Sequence, residues 1–267
     1  IRYAGTPVTS GAQIPTSIEV GHGVRPATRQ RSPQGGAVMA VPGAHRLEAA
    51  GLSLWLLPGR AVWWPAAGTL FVADLHFGKA ATFRRAGLAV PEGTTADNLA
   101  RLTHLLGSTG AHQLVFLGDL LHARSGRGDA LWRALGDWRG AHAAVRMVLV
   151  RGNHDRHAGD PPAALGVAMV EEPWAPLPSA PPLGCHHPHR VAGNLVLAGH
   201  LHPTVKVWGG ARDSLRLPCF VHTDGQLLLP AFGAFTGSAP TRWPQDAQCF
   251  AIADEHVLEV PAARRGV

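Results

Sequence analysis

Apolar and polar positions alternate between two periods along this chain, and the switches mark its elements. From about residue 47, "LSLWLLPGRAVWWP" predicts two strands about a Pro-Gly turn, and "GTLFVADLH" is an apolar run that stops on charged residues. "PEGTTADNLARLTHLLGSTG" carries Leu99, Leu102, Leu105 and Leu106 at helical spacing, with a threonine or aspartate start signal and glycine ends. "HQLVFLGDL" is a strand ending on an acid, and "DALWRALGDWRG" is a helix with Leu131, Leu135 and Trp138 on one stripe. "VRMVLVRGNHDRH" is a further strand that breaks at Gly152 into Asn153, His154 and Asp155. Strands alternating with helices predict a parallel sheet with helices on its faces. Beyond Pro161 the text changes to short strands separated by Gly and Pro, among them "VAMVEEPW", "LGCHH", "NLVLAGHLH", "LRLPCFVH" and "CFAIADEHVLEV". These predict a second, largely antiparallel sheet.

Residues 1–44 show neither period and are rich in Gly, Pro, Ser and Thr, so they read as a disordered N-terminal extension, with 45–267 as a single domain. Met39, just ahead of the patterned region, raises the expectation that the extension reflects start-site choice. At 267 residues and 46% hydrophobic content the chain can bury a sizeable core. It has no run of 18 apolar residues and no signal-peptide order, which predicts no membrane association. Three scattered cysteines make no disulfide framework, so a reducing cytoplasm is expected. The net charge of +6 comes mostly from arginine, since Lys79 and Lys206 are the only lysines. Arginine excess suits phosphate-bearing partners, and it equally suits a GC-rich genome.

Sixteen histidines change the picture, because they cluster where apolar runs stop. In chain order the strand ends carry Asp74 and His76, Asp119, Asn153 and His154, His186, and His200 with His202. Residues just past the carboxyl ends of strands converge on one crevice in an open α/β sheet. Asp74, His76 and His202 are expected on one divalent ion, Asn153, His186 and His200 on a second, and Asp119 between them. Two such ions clamp the attacking and leaving oxygens of a displacement at phosphorus and acidify a shared water, a bridging hydroxide. His154 is left as the acid that protonates the leaving oxygen, with Asp155 fixing its orientation. Each piece alone is common by chance; five in one order are not.

Asp-x-His, Gly-Asp, Gly-Asn-His-Asp, a strand-end His and Gly-His-x-His in that order resemble the calcineurin-like metallophosphoesterases over residues 70 to about 203. The resemblance implies an α/β fold, a four-layer αββα sandwich with two mixed sheets. "ADLHFGKAATFRRAGLAVPEGT", "LGDLLH" and "AGHLHP" further resemble the DNA ligase-associated metallophosphoesterases. That subfamily implies a manganese-dependent phosphodiesterase and DNA endonuclease holding two divalent ions. It also implies DNA ligase, helicase and exonuclease as functional partners in bacterial DNA repair. Its usual His-Glu-Pro element is here His186-His187-Pro188, with His189 nearby as a further candidate, so the choice of ligand between His186 and His187 stays open.

Substrate contacts are less determined. A helix after the first metal strand would carry Lys79, Arg84 and Arg85 and turn at least one toward the metals as a phosphate clamp, or leave them on a solvated face. His122 either supports the metal ligands or touches substrate. Arg124 and Arg127, on a glycine-rich loop, read as DNA-backbone contacts or as plain surface. Cys185 reads as a buried strand residue, and Trp55, Trp63 and Trp64 as packing between layers. Hydrolysis of small phosphoesters is the competing activity, and a non-catalytic scaffold the competing class, which the complete ligand set opposes.

Overall fold

The structure, a computed structural model, describes residues 41–90, 93–177, 182–208, 214–233, 236–237 and 243–265. The expected N-terminal extension lies outside the described residues up to residue 40. The first sheet runs in the order β1 (His45–Ala49), β2 (Leu52–Leu57), β3 (Ala61–Trp64), β4 (Thr69–Ala73), β5 (Gln113–Leu117), β6 (Arg146–Val150) and β7 (Val167–Val170). β1 to β4 are antiparallel neighbours and β4 to β7 parallel ones. Every residue of β4 and β5 is buried, which explains their near-continuous apolar text. β7 was expected in the second sheet, but "VAMV" continues the parallel ladder beside β6. Its "VAMV" text cannot tell an edge strand of one sheet from a strand of the other.

The second sheet runs β14 (His256–Val260), β13 (Gln248–Ala253), β11 (Ser214–Thr223), β12 (Gln226–Leu228), β9 (Val196–Ala198) and β8 (Leu183–Cys185), with β10 (Thr204–Trp208) paired to the first half of β11. It too is mixed, because β12, β9 and β8 are parallel. Between the sheets, side chains at alternate positions form one apolar layer that includes Leu54, Phe71, Val115 and Val148 from the first and Leu197, Phe220, Leu227 and Phe250 from the second. Phe71, Phe220 and Phe250 are at most 1% exposed, and each contributes about 1.5–3 kcal/mol by that burial.

The other face of the first sheet is covered by helices. α1 (Lys79–Arg85) follows β4, α2 (Thr94–Thr109) buries Leu99, Leu102, Leu105 and Leu106, and α3 (Asp129–Ala141) buries Leu131 and Leu135. Trp138 Nε1 donates to Thr103 Oγ1 across α2 and α3 at 3.0 Å. The expected threonine or aspartate cap on α2 is not used: Gly93 occupies that position with a left-handed backbone and no side-chain bond. The outer face of the second sheet packs under β10, Leu201 and Trp243, and the described residues place no α-helix there. Trp63 and Trp64 are buried in the two layers flanking the first sheet.

The two sheets meet at the carboxyl ends of their parallel strands. After β12 the chain crosses to β4, where Phe232 N–H donates to Ala73 O at 2.8 Å and Gly233 N–H to Asp74 O at 3.1 Å. Arg60 and Arg101 hold the same crossing by donating to the carbonyls of Ala231 and Phe232. All five expected strand ends therefore open at one rim.

Candidate dimetal active site

Asp74 follows β4, Asp119 follows β5, Asn153 opens α4 (Asn153–Ala158) after β6, His186 follows β8, and His200 and His202 follow β9. Five of these residues have left-handed backbones, with φ of 54° at Asp74, 49° at His76, 49° at Asp119, 70° at His200 and 46° at His202. Non-glycine residues rarely adopt this region, and it persists where the surrounding bonds over-determine it. Those bonds are present here. His76 N–H donates to Asp119 O at 2.8 Å, His200 N–H to Asp74 Oδ2 at 2.8 Å, and His154 N–H to Asp119 Oδ1 at 2.9 Å. The motif glycines have a physical reason as well. A Cβ on Gly118 would lie 2.0 Å from His186 Nδ1, and one on Gly152 would lie 2.3 Å from Asp119 Oδ1.

The donor atoms converge in two groups. Asp74, His76 and His202 bring theirs within 4.8 Å of one another, with His202 Nε2 3.6 Å from Asp74 Oδ1. On the other side His186 Nε2 lies 2.9 Å from Asn153 Oδ1, 3.1 Å from His200 Nδ1 and 3.6 Å from Asp119 Oδ1. Asp119 Oδ2 lies 3.8 Å from His76 Nε2, so its carboxylate faces both groups. Of the two histidines left open by the sequence, His186 is fully buried among these donors, while His187 Nδ1 is 2.7 Å from Glu172 Oε1 and nearly half its side chain is exposed.

This arrangement is unfavourable without a cation and fits one. Asp74 Oδ1 and both ring nitrogens of His76 are buried with no hydrogen-bond partner. Burial, then the charge of Asp74, pushes the Asp119 carboxyl up to about 6, although the His154 N–H opposes the shift. Burial, with His202 and Lys79 nearby, holds His76 down to about 2, so the ring is neutral and its lone pair is available. His202 moves the other way: burial lowers it, but the Asp74 carboxylate and the Gly237 carbonyl together raise it by more. An oxygen and imidazole set with no thiolate suits divalent cations.

His154 sits beside this group with its ring centroid 4.9 Å from that of His76 and stacked on His122 at 5.0 Å. Its Nδ1 is 2.9 Å from the carbonyl of His122, which fixes the ring and leaves Nε2 for a reacting group. Asp155, expected to orient His154, does not. Its carboxylate accepts the N–H groups of Gly152 at 3.0 Å and Leu121 at 3.1 Å, tying the loops after β5 and β6 together. Burial pushes it up to about 6 despite those two bonds. His122 is half-buried, is lowered to about 4 by burial and Lys79, and has an unbonded Nδ1.

Of the α1 cations it is Lys79 whose charge bears on Asp119 and His76. Arg84 and Arg85 are exposed at the far end and line a cavity of about 400 Å³ between α1, the start of α2 and Gly126–Gly128. Arg84 reaches Val90 O at 3.4 Å, and Arg85 donates to Ser125 O. Arg124 donates to His157 O at 3.1 Å, and Arg127 to Ala158 O at 2.7 Å and Asp160 O at 2.9 Å. Glu172 was missed by sequence reasoning. Its Oε2 accepts the backbone N–H of His186 at 2.7 Å and of His187 at 2.9 Å; against burial, the His187 ring on Oε1 and then these two backbone bonds hold its carboxyl below the usual range. The only textual signal was an acid ahead of Pro173, too common to single out.

Two mixed sheets with a Asp/His/Asn crevice at their shared carboxyl edge define a metal-dependent phosphoesterase, and the chain belongs to the calcineurin-like phosphoesterase family. The profile of that family matches residues 69–188. The crystal structure of the nuclease MPE of Pseudomonas putida is similar at 41% identity and a TM-score of 0.69, covering 81% of this chain and 100% of that one. Yfce, a phosphoesterase from E. coli, aligns at 16% identity and a TM-score of 0.38 over 73% of this chain and 98% of that one, too distantly to bear on the assignment. No match is found among curated proteins.

Proposed function

We propose that this chain is a manganese-dependent phosphodiesterase that cuts DNA as an endonuclease, in repair associated with a DNA ligase, a helicase and an exonuclease. The observation that carries the phosphodiesterase reading is the convergence of Asp74, His76, Asp119, Asn153, His186, His200 and His202 around buried oxygen and nitrogen atoms with no partner. DNA as substrate is supported by the 41% identity to a nuclease and by the arginine-rich balance of the chain. Three free cysteines agree with a cytoplasmic setting, and no helix among the described residues is long and apolar enough to cross a membrane.

Asp74, His76 and His202 would hold one ion, Asn153, His186 and His200 the other, and Asp119 both. Bound there, the ions supply charge neutralisation at phosphorus and acidify water. The protein's own part is to hold the phosphate against the crevice and deliver a proton. His154, fixed through Nδ1 by the His122 carbonyl, presents Nε2 to the leaving oxygen and protonates it. Lys79 adds a half-buried positive charge on the same side.

Chelator-stripped protein should be inactive, and Mn²⁺ should restore cleavage of a generic phosphodiester and of DNA but not of a phosphomonoester. Full activity in excess chelator would overturn the dimetal assignment. Activity on small phosphoesters with none on single- or double-stranded DNA would replace the nuclease reading with a small-molecule hydrolase.

A further inference from the structure

Beside the seven donors stands a second set of different chemistry. Ligand atoms of Glu172, Cys185 and His189 all lie within 4.8 Å of one another. Cys185 Sγ is 3.8 Å from His189 Nε2, and His189 Nδ1 is 2.9 Å from the backbone carbonyl of His187. A carbonyl only accepts, so Nδ1 carries the hydrogen and Nε2 turns its lone pair to the sulfur. A ligating histidine characteristically donates its other ring N–H to a carbonyl or carboxylate in this way. In a tetrahedral zinc site, Zn–S of about 2.3 Å and Zn–N of about 2.0–2.1 Å separate sulfur from nitrogen by about 3.6 Å. The separation here is close to that before any ion is considered.

Glu172 is equally prepared. Two backbone N–H groups and the His187 ring hold its carboxylate in place, and Oε1, with a single partner, keeps a lone pair free. Cys219 and Cys249 are also buried and free, yet neither belongs to a metal-ligating group among the described residues. The catalytic crevice offers oxygen and imidazole, whereas this set adds a sulfur, a thiolate once a metal displaces its proton, which shifts preference from manganese toward zinc.

We propose that Glu172, Cys185 and His189 form a third metal site that takes zinc, with water as the fourth ligand. As the sulfur binds, its S–H bond breaks, the S–Zn bond forms and the proton passes to solvent. The consequence is mechanical. Glu172 anchors the backbone at His186 and His187, so zinc bound to it stiffens the wall of the crevice that the second sheet supplies. The proposal stands independently of the reaction assigned to the dimetal centre.

Cobalt(II) distinguishes the two kinds of site, because only a thiolate gives an intense near-ultraviolet sulfur-to-cobalt charge-transfer band. Metal-free protein titrated with Co²⁺ should develop that band together with the weak visible bands of the crevice ions. Cys185→Ser should abolish the charge-transfer band, and His189→Gln should abolish or strongly weaken it, each lowering bound zinc by one equivalent. No such band in wild-type protein whose visible bands are present would overturn the third site. Persistence of the band in folded Cys185→Ser would assign it to another thiol and overturn it equally. Should Cys185→Ser fail to fold, His189→Gln decides: an unchanged band and unchanged zinc content reject the site.

Discussion

The crevice donors and the neighbouring arginines lie on adjacent loops, but they are held in different ways. Asp74, His76, Asp119, His200 and His202 stand on left-handed backbones, each at a cost of order 1–3 kcal/mol, and the amides of His76 and His200 bond to Asp119 O and the Asp74 carboxylate. Arg84, Arg85, Arg124 and Arg127 stand on ordinary backbone, and the hydrogen bonds described for them are to carbonyls of their own chain, with Arg127 also lying over the Trp132 ring. Strain is concentrated where chemistry requires fixed atoms, and the rim uses long side chains to tie loops together. Changes in the crevice should therefore abolish function, and changes at the rim should alter stability or substrate affinity.

The largest effect tests the crevice as a unit. Asp119 faces both donor groups, receives the His154 amide and fills the space beside Gly152. Asp119→Ala should lose both ions in metal analysis after gel filtration. Its hydrolysis should fall well beyond the about 10–100-fold typical of changes behind the ligands. Retention of a full metal complement would show that the two groups do not depend on a shared carboxylate.

His154→Ala tests the boundary between holding metal and moving protons. Among the described residues the ring bonds only the carbonyl of His122, from behind, while one of its nitrogens stands within 4.8 Å of ring nitrogens of His76 and His122. Metal content should stay at the wild-type level while phosphodiester cleavage slows by roughly 10²-fold or more. A diester with a very good leaving group should recover much of that loss, since it needs no proton. A metal-depleted variant would make His154 a ligand.

The same contrast explains what the sequence disclosed. The convergence of these seven residues was legible because each sits where an apolar run stops, and five such stops in a fixed order are improbable by chance. The parallel core β4, β5 and β6 was legible for the same reason. Second contacts were not. Asp155 follows His154 and was expected to orient it, but α4 begins at Asn153 and turns the Asp155 carboxylate back to the amides of Gly152 and Leu121. The residue that does orient His154 contributes only a backbone carbonyl, which side-chain identity cannot signal. Glu172 lay unnoticed because its partners are amides some 14 residues ahead, brought near by the pairing of β8. β7 was misplaced because four residues of half-buried strand carry no mark of the sheet they join.

A smaller effect concerns pH. Asp119, raised to about 6, must be deprotonated to bind a cation, while His76, held to about 2, is already neutral across the working range. Protons therefore compete with metal through Asp119 below its folded value, and through His202, whose pKa the Asp74 carboxylate raises, in the range above it. Mn²⁺ affinity measured by calorimetry should rise steeply from about pH 5 and flatten only once Asp119 and His202 have both lost their protons. Without metal the sign reverses for stability. A carboxyl raised above its unfolded value contributes stability that is full below about 4 and is lost as pH rises through about 6. Affinity independent of pH over this window would place the shared proton elsewhere.

The smallest effects separate the rim arginines from one another. Arg127 is half-buried, donates to Ala158 O and Asp160 O, and lies 5.0 Å over the Trp132 ring, so its role is to brace the end of α4. Arg124 is exposed and has a single described bond, to His157 O. If DNA runs along this loop, the exposed guanidinium is the one able to neutralise a phosphate and release counterions. Arg124→Ala should then lower the salt dependence of DNA binding by about one unit of log–log slope with an unchanged melting temperature. Arg127→Ala should instead lower the melting temperature by roughly 5–10 °C, the expected result of losing two charged hydrogen bonds worth about 1.5–3 kcal/mol each, and leave the salt slope alone. Neither change should alter turnover of a small neutral diester, which reaches only the crevice. An unchanged slope in Arg124→Ala would remove the loop from the DNA path and leave the rim a purely structural brace.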